Sequence, residues 1–240
     1  MRLGEAKTPP RMRIYAIGDV HGLDTLLAEA HAEIEADLAA RPVADHRIIH
    51  VGDYVDRGPN SAAVIERLSR LQETDPRILC LMGNHDELML AFLADPGAAG
   101  PDWMMNGAGA TFRSYGIDTS GVSSAGDHRR LCKALAAALP ASHRLFLDHL
   151  RLSIRFGDFL FCHAGIRPGV PLDLQSDHDL LWIRDEFLFS NRDHGVVVVH
   201  GHTPAQAPEV RPNRINVDTG AVYGGPLTVL ALEGTSHRFL

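Results

Sequence analysis

The chain has few cysteines and no long apolar runs. Its three cysteines, Cys80, Cys132 and Cys162, are odd in number and widely spaced, and none forms a C-x-x-C pair. They fit buried thiols in a reducing cytoplasm better than a disulfide framework or a zinc knuckle. Apolar runs such as Val196–Val199 are too short to cross a bilayer, and the first residues lack the apolar core of a signal peptide. We therefore expect a cytoplasmic protein without a membrane partner.

An excess of positive charge is also absent. The 23 Lys and Arg residues are outnumbered by 30 Asp and Glu residues, and the net charge is −7, which argues against a nucleic-acid partner. Hydrophobic residues make up 45% of the chain and charged residues 22%, as in ordinary globular proteins. A chain of 240 residues can bury one sizeable core, so we expect a single domain over residues 1–240.

Apolar periodicity predicts an α/β protein. In the first third, predicted strands at Ile14–Ile17, Ile48–Val51 and Ile78–Leu81 alternate with helices, which indicates a parallel sheet. From about residue 95 to 149 the strand pattern is lost, and we expect a mostly helical, cap-like insertion. The last third is strand-rich, with a hairpin signal at Gly157-Asp158. Its strands are predicted at Leu152–Phe156, Phe159–Cys162, Val196–His200, Ile215–Val217 and Leu227–Leu232.

Two glycine-bounded stretches carry candidate metal ligands where predicted strands end. The first, G-D-V-H-G, places Asp19 and His21 on the same side of an extended chain. The second, G-D-Y-V-D-R-G, adds Asp53, Asp56 and Arg57. Carboxylates and imidazoles at strand ends suit a divalent metal centre. Each stretch alone also fits a structural turn, with an Asp cap in the first and a solvated Asp–Arg pair in the second.

Three further clusters have the same placement. Asn84 and His85 follow the third strand; Asn84 fits a metal ligand and a cap of the next helix equally well, and His85 fits a proton donor. His163 follows the apolar run 159–162, and His202 follows the run 196–199. A lone histidine at a strand end is more often structural than a ligand. Five clusters with one placement, however, are hard to attribute to chance.

In these motifs the sequence resembles the phosphoprotein phosphatase family of calcineurin-like metallophosphoesterases, and in particular its bacterial and phage branch. The family signatures G-D-x-H-G, G-D-x-V-D-R-G, G-N-H-[ED], H-A-G and G-H-T occur here in the family's order. They stand at Gly18–Gly22, Gly52–Gly58, Gly83–Asp86, His163–Gly165 and Gly201–Thr203. The resemblance runs from about Arg13 to Leu232, and it implies a four-layer αββα sandwich with a helical insertion.

The resemblance also implies a role for each motif residue. It implies two divalent metal ions, with Mn²⁺ expected and iron or zinc as alternatives, and hydrolysis of phosphate esters by a metal-bound hydroxide. Asp19, His21 and His202 would hold one ion, Asn84 and His163 the other, and Asp53 would bridge the two. Arg57 and Arg184 would bind the phosphate. His85 would protonate the leaving alkoxide, oriented by Asp56.

Two departures from the family pattern concern the substrate. Met82 stands where many protein-directed members place a phosphate-contacting Arg, and Asp86 stands where protein phosphatases usually carry Glu. Asp56 favours the protein phosphatases, because the enterobacterial diadenosine tetraphosphatases lack an acid there. We therefore expect a phosphoserine/phosphothreonine protein phosphatase, with a phosphoprotein or small phosphate ester as partner. The alternatives are symmetrical hydrolysis of diadenosine tetraphosphate and a metal-dependent sensor or scaffold without catalysis.

Overall fold

The structure is a computed structural model that describes residues 1–240, and it contains two five-stranded mixed sheets. The first sheet has the spatial order β10-β9-β1-β2-β3, with β1 to β3 parallel to one another and β9 antiparallel to β1. Its strands are β1 (Met12–Ile17), β2 (Asp45–His50), β3 (Ile78–Cys80), β9 (Val229–Glu233) and β10 (Ser236–Phe239). The second sheet has the order β4-β5-β6-β8-β7, with β5, β6 and β8 parallel. Its strands are β4 (Ser153–Phe156), β5 (Phe159–Cys162), β6 (Val197–His200), β7 (Glu209–Val210) and β8 (Arg214–Asn216).

Nine α-helices cover the sheets. Three of them follow β1, β2 and β3 in turn: α1 (Asp24–Ala40), α2 (Ser61–Thr74) and α3 (Asn84–Ala94). Four lie within the predicted insertion: α4 (Pro96–Met105), α5 (Ala108–Ser114), α6 (Ala125–Ala138) and α7 (Ala141–Asp148). Two short ones precede β6: α8 (Asp177–Trp182) and α9 (Asp185–Leu188). None of these helices is long and apolar enough to span a membrane.

The side chains of each sheet alternate between two cores, as the two-residue period of a strand requires. In β1, Ile14 and Ala16 face the second sheet, whereas Tyr15 and Ile17 face the helices. The second sheet contributes Phe161 and other apolar side chains to the core between the sheets, and its outer face packs against α8 and α9. This helix–sheet–sheet–helix arrangement is the predicted four-layer αββα sandwich.

Most predicted strands are confirmed to within a few residues, and Gly157-Asp158 forms the predicted hairpin, with Phe156 paired to Phe159. The segment from 96 to 148 is helical as predicted, and its Trp103 and Leu131 belong to the same core as Tyr15. The edge strands β7 and β10 and the short helices α8 and α9 were not predicted. All three cysteines are free thiols, of which Cys80 and Cys162 are buried.

Candidate metal centre

The candidate ligands of both sheets meet at one edge, where the parallel strands end. Asp19 and His21 follow β1, Asp53 follows β2, and Asn84 begins α3 directly after β3. The second sheet supplies two histidines, one after β5 and one after β6. These are His163 and His202. All six residues are buried, so the predicted ligand positions converge on a single buried site at the carboxyl ends of the strands.

The turns that carry these residues have unusual backbone conformations. Five non-glycine residues of the site have positive φ angles: His21 (43°), Asp53 (56°), Asp56 (72°), Arg57 (67°) and His202 (68°). Such residues are uncommon, and they cluster at functional sites because the surrounding structure must hold them. Gly83 allows the Gly52–Asp53 turn to approach α3, because a Cβ atom at Gly83 would collide with the Asp53 carboxylate and backbone nitrogen.

Hydrogen bonds to backbone carbonyls orient two of the imidazoles. His21 Nδ1 lies 2.8 Å from the Val55 oxygen, and His163 Nδ1 lies 3.0 Å from the Val51 oxygen. Because a carbonyl only accepts, each Nδ1 carries the proton, and the lone pair of each Nε2 faces the site. His163 Nε2 then lies 2.9 Å from Asn84 Oδ1, which places two acceptors against each other. A cation bound to both atoms would make this contact favourable.

Two groups of side chains are close enough to hold one ion each. His21, Asp53 and His85 form the first, and Asp19, Asp53 and His163 form the second; within each group the ligand atoms lie within 4.8 Å of one another. Asp53 belongs to both groups, and its bridging role stays a prediction. The donor set of carboxylate, amide and imidazole groups fits divalent metal ions.

His202 departs from the expected division of ligands. Its Nδ1 lies 2.9 Å from Asn84 Oδ1, and its ring lies 5.1 Å from that of His163. Its backbone nitrogen, not its ring, contacts Asp19. The structure therefore groups the imidazole of His202 with Asn84 and His163, whereas the resemblance had placed it with Asp19 and His21. Its Nε2 is buried without a hydrogen-bond partner.

Negative charge accumulates beside these ligands. Burial, together with the nearby Asp218 and Asp53, raises the pKa of Asp19 well above its ordinary value. Burial also opposes ionisation of Asp53, but the surrounding His163, His85 and His21 outweigh it and lower the pKa of that carboxyl. Asp218 itself is buried, and its pKa is raised mainly by that burial. A bound cation would relieve the repulsion among the three carboxylates.

His85 and Asp56 form a buried pair next to the ligands. His85 Nδ1 lies 2.7 Å from Asp56 Oδ2, so Nδ1 donates to the carboxylate and Nε2 is left for the site. Burial lowers the pKa of His85, but the charges of Asp53 and Asp56 outweigh it and raise that pKa above its ordinary value. Trp103 Nε1 lies 2.9 Å from the same Asp56 oxygen, and the Thr111 hydroxyl lies 2.6 Å from the other. Sequence reasoning assigned no role to Thr111.

The two predicted phosphate-binding arginines lie at the exposed side of the site. Arg57 Nη1 lies 2.6 Å from His21 Nε2, and its guanidinium lies 5.6 Å from the centre of the exposed Tyr223 ring. Arg184 precedes α9. Burial is the main reason that the pKa of His163 lies below its ordinary value, and the positive charge of Arg184 lowers it further. The arginines therefore add positive charge where a phosphate would enter.

Asp86 and Met82 have different positions relative to the site. Asp86 is fully buried, and its carboxylate accepts hydrogen bonds from the backbone N–H groups of Asp53, Tyr54 and Gly83, at 2.9, 3.0 and 2.9 Å. It therefore holds two ligand-bearing turns together and is closed to substrate. Met82 packs against the core between the first sheet and its helices.

Comparisons with known proteins agree with this geometry. The model of the calcineurin-like phosphoesterase family matches residues 12–231. Serine/threonine-protein phosphatase 1 of Salmonella typhimurium is 28% identical over 225 residues, which cover 92% of each chain. The asymmetrical bis(5'-nucleosyl)-tetraphosphatase PrpE of Bacillus cereus is 27% identical over 239 residues, covering 91% of this chain and 90% of that protein. A solved structure described as a candidate diadenosine tetraphosphatase shares the fold, with a TM-score of 0.66 at 21% identity, over 98% of this chain and 97% of that one.

Proposed function

The chain belongs to the calcineurin-like phosphoesterase family and is a metal-dependent phosphatase, and we propose that its substrates are phosphoserine and phosphothreonine residues of cytoplasmic proteins. This choice of substrate rests on the geometry of the buried proton donor, His85. The similarity to a serine/threonine-protein phosphatase supports it.

We propose that two divalent ions, with Mn²⁺ as the expected metal, are held by the six buried ligands. Asp19 and His21 would serve one ion, as the resemblance implies, although the Asp19 carboxylate also lies within ligand distance of Asp53 and His163. Asn84, His163 and His202 would serve the other ion, and Asp53 both. When bound, such ions supply positive charge at the phosphoryl oxygens and lower the pKa of an attacking water.

The remaining residues bind the phosphate and move a proton. Arg57 and Arg184 would bind the non-bridging phosphate oxygens, because a planar guanidinium offers paired N–H donors. Water would attack phosphorus while the P–O bond to the serine oxygen breaks, and His85 would deliver the proton of its Nε2 to that oxygen. The protons of the attacking water would pass to the phosphate product and the solvent, from which His85 regains its own. Asp56 stays ionised and accepts the Nδ1–H bond throughout, which keeps the ring in the orientation that donation needs.

The buried His85–Asp56 pair is the observation that favours a serine or threonine ester. An alkoxide is a strong base, and its departure needs a proton from a positioned acid. The leaving phosphate of a dinucleoside polyphosphate is already stable as an anion and needs no such donor. A fully buried Asp56 with three hydrogen-bonded side chains, from His85, Trp103 and Thr111, is therefore better suited to the ester than to the anhydride.

Hydrolysis of dinucleoside tetraphosphates is the second candidate, because one group of relatives carries that name. Those relatives are named asymmetrical, whereas the sequence alone had suggested the symmetrical reaction as the alternative. The products distinguish the two reactions. Asymmetrical cleavage of diadenosine tetraphosphate gives ATP and AMP, and symmetrical cleavage gives two molecules of ADP.

A substrate comparison tests the proposal directly. Protein purified without chelator is supplied with Mn²⁺, and kcat/KM is measured for a phosphoserine peptide, a phosphothreonine peptide and diadenosine tetraphosphate. We expect the phosphopeptides to be preferred. A preference for the dinucleotide would contradict the proposal. Fewer than two metal ions per chain together with no turnover of p-nitrophenyl phosphate would instead support a scaffold.

A further inference from the structure

The carboxylate of Asp56 takes two of its three side-chain partners from the helical segment 96–148. His85, from α3, donates to Oδ2 at 2.7 Å. Trp103, from α4, donates to the same oxygen at 2.9 Å, and Thr111, from α5, donates to Oδ1 at 2.6 Å. Asp56, Trp103 and Thr111 are all fully buried. Because Asp56 is fully buried, bulk solvent does not reach its carboxylate, and these donors determine its orientation.

The same segment also binds the backbone of Asp56 and Arg57. The Asp56 N–H donates to the Thr111 hydroxyl at 2.8 Å, and the Arg57 N–H donates to the Gly107 carbonyl at 3.3 Å. Asp56 and Arg57 are consecutive non-glycine residues in the left-handed region, a conformation that costs about 1–2 kcal/mol per residue. Contacts from α5 and from the link before it therefore stabilise a turn that its own sequence does not favour.

Aromatic packing fixes the donor on α4. The Trp103 ring centre lies 5.0 Å from that of Phe92 and 5.1 Å from that of Phe112. Phe92 belongs to α3, which also carries His85, and Phe112 follows Thr111 in α5. The ring of Trp103 thus connects the helix of the proton donor to the helix that supports Asp56, and fully packed rings of this kind have little freedom to move.

We propose that Trp103 and Thr111 are positioning residues for proton delivery, acting through Asp56 on His85. The helical segment 96–148 is then part of the machinery that protonates the leaving group, besides any contact it makes with substrate. This inference rests on the proposed function, because only an alkoxide leaving group needs the proton. When the P–O bond breaks and the O–H bond forms, the Asp56 carboxylate must keep its place against Nδ1, and the two donors hold it there.

The test uses leaving groups of different basicity on the full-length, metal-loaded protein. Thr111→Val removes the hydroxyl at nearly constant volume, and Trp103→Phe removes the indole N–H while it keeps a ring. We expect kcat on a phosphoserine peptide to fall about 10- to 100-fold in each variant, a part of what a general acid contributes. On 2,4-dinitrophenyl phosphate, whose leaving group needs no proton, we expect kcat to stay within about threefold of wild type.

Two further variants serve as controls. Thr111→Ser keeps the hydroxyl, so it should restore peptide turnover to near the wild-type value. Ser114→Ala removes another hydroxyl of α5, which bonds the Ala62 nitrogen and does not contact Asp56, and it should show no dependence on the leaving group. If Trp103→Phe fails to fold, as judged by circular dichroism, the result for Thr111→Val alone tests the positioning role.

Each remaining outcome contradicts a specific proposal. Equal loss of both activities in Thr111→Val, or no loss of either, overturns the positioning role while the proposed function stands. A wild-type protein that hydrolyses the dinitrophenyl ester or the dinucleotide but no phosphopeptide overturns both proposals.

Discussion

The side-chain carboxylate of Asp86 accepts a hydrogen bond of 2.9 Å from the backbone nitrogen of Asp53, the residue that lies between the two ligand groups. The same carboxylate also binds the N–H groups of Tyr54 and Gly83. Its role is to hold the turns that present the ligands. The replacement of the family's usual Glu by Asp therefore concerns the geometry of the metal centre, and Asp86 is too deeply buried to select a substrate.

Asp86→Asn tests this relationship. An amide has one acceptor oxygen in place of two, so at least one of the three backbone donors would face an NH₂ group. We expect the free energy of unfolding to fall by about 2 kcal/mol and Mn²⁺ to bind more weakly, as measured by denaturation and by metal titration. The ratio of kcat/KM for the phosphopeptide and the dinucleotide should stay unchanged; a large shift in that ratio would restore Asp86 as a specificity residue.

His85→Asn should separate proton donation from metal binding. Because His85 is expected to act as the proton donor and not as a ligand, the variant should keep its metal content while kcat on a phosphopeptide falls by about 10²–10⁴. His237→Asn, on the exposed edge strand β10, provides the matched control. Elemental analysis of the metal content decides whether His85 is a proton donor or a ligand. The measurement is needed because His85 also lies within ligand distance of His21 and Asp53. Loss of the ions in His85→Asn would identify it as a ligand.

Removal of the metals should affect stability as well as activity. The buried carboxylates of Asp19, Asp53 and Asp218 repel one another when no cation is bound, and a ligand that binds the folded state stabilises it by mass action. After dialysis against a chelator, we expect phosphatase activity to be lost and the Tm to fall, and Mn²⁺ to restore both. In Asp53→Asn, added Mn²⁺ should raise the Tm much less. Full activity of the metal-free protein would contradict the metal centre.

The buried carboxylate of Asp37, remote from the site, should contribute to the acid sensitivity of the fold. Asp37 binds Arg13 at 3.0 Å and the Tyr15 hydroxyl at 2.6 Å, and it also contacts Arg41 and Arg238. Burial alone would raise its pKa, but the hydrogen bonds from Arg238, Tyr15 and Arg41 outweigh burial and hold the pKa of this carboxyl well below its ordinary value.

Asp37→Asn should therefore cost about 3 kcal/mol of unfolding free energy at pH 7, because it leaves the buried guanidinium of Arg13 with Glu233 as its one carboxylate partner. A depressed carboxyl pKa stabilises the fold above the unfolded value, near pH 4, and this contribution is lost as the pH falls toward the folded value. The difference between wild type and variant should thus shrink below about pH 4. Asp45→Asn, which breaks an exposed ion pair with Arg47, should change stability by less than about 1 kcal/mol.

The sequence predicted the central strands and the edge strands β3 and β4, but it missed the edge strands β7 and β10. A strand such as Ile48–Val51 can be recognised in the sequence, because a strand buried on both faces is continuously apolar. β10 reads Ser-His-Arg-Phe and pairs on one side only, with β9, so it has no apolar run to detect. β7 has two residues, which is too few for any periodicity. The single-domain organisation stays a prediction.

The residues that gather at the candidate metal centre could be predicted from the sequence, but their internal arrangement could not. Glycine-bounded motifs fix which side chains lie at strand ends, yet the division of ligands between two ions depends on side-chain directions. His202 has a positive φ angle, which turns its ring toward Asn84. The bonds from Trp103 and Thr111 to Asp56 span 47 and 55 residues, and no local pattern in the sequence indicates such contacts.

The convergence of ligands from both sheets also limits when the site can form during synthesis. Asp19 and His202, which touch in the folded protein, are 183 residues apart in the chain. At a translation rate of about 5–20 residues per second, the ribosome needs about 10–40 s to reach His202, and until then the emerging chain lacks one of the proposed ligands. Contacts of such long range form late in folding. Metal loading of the proposed site would therefore follow translation, and the nascent chain would have to remain free of aggregation without the ions.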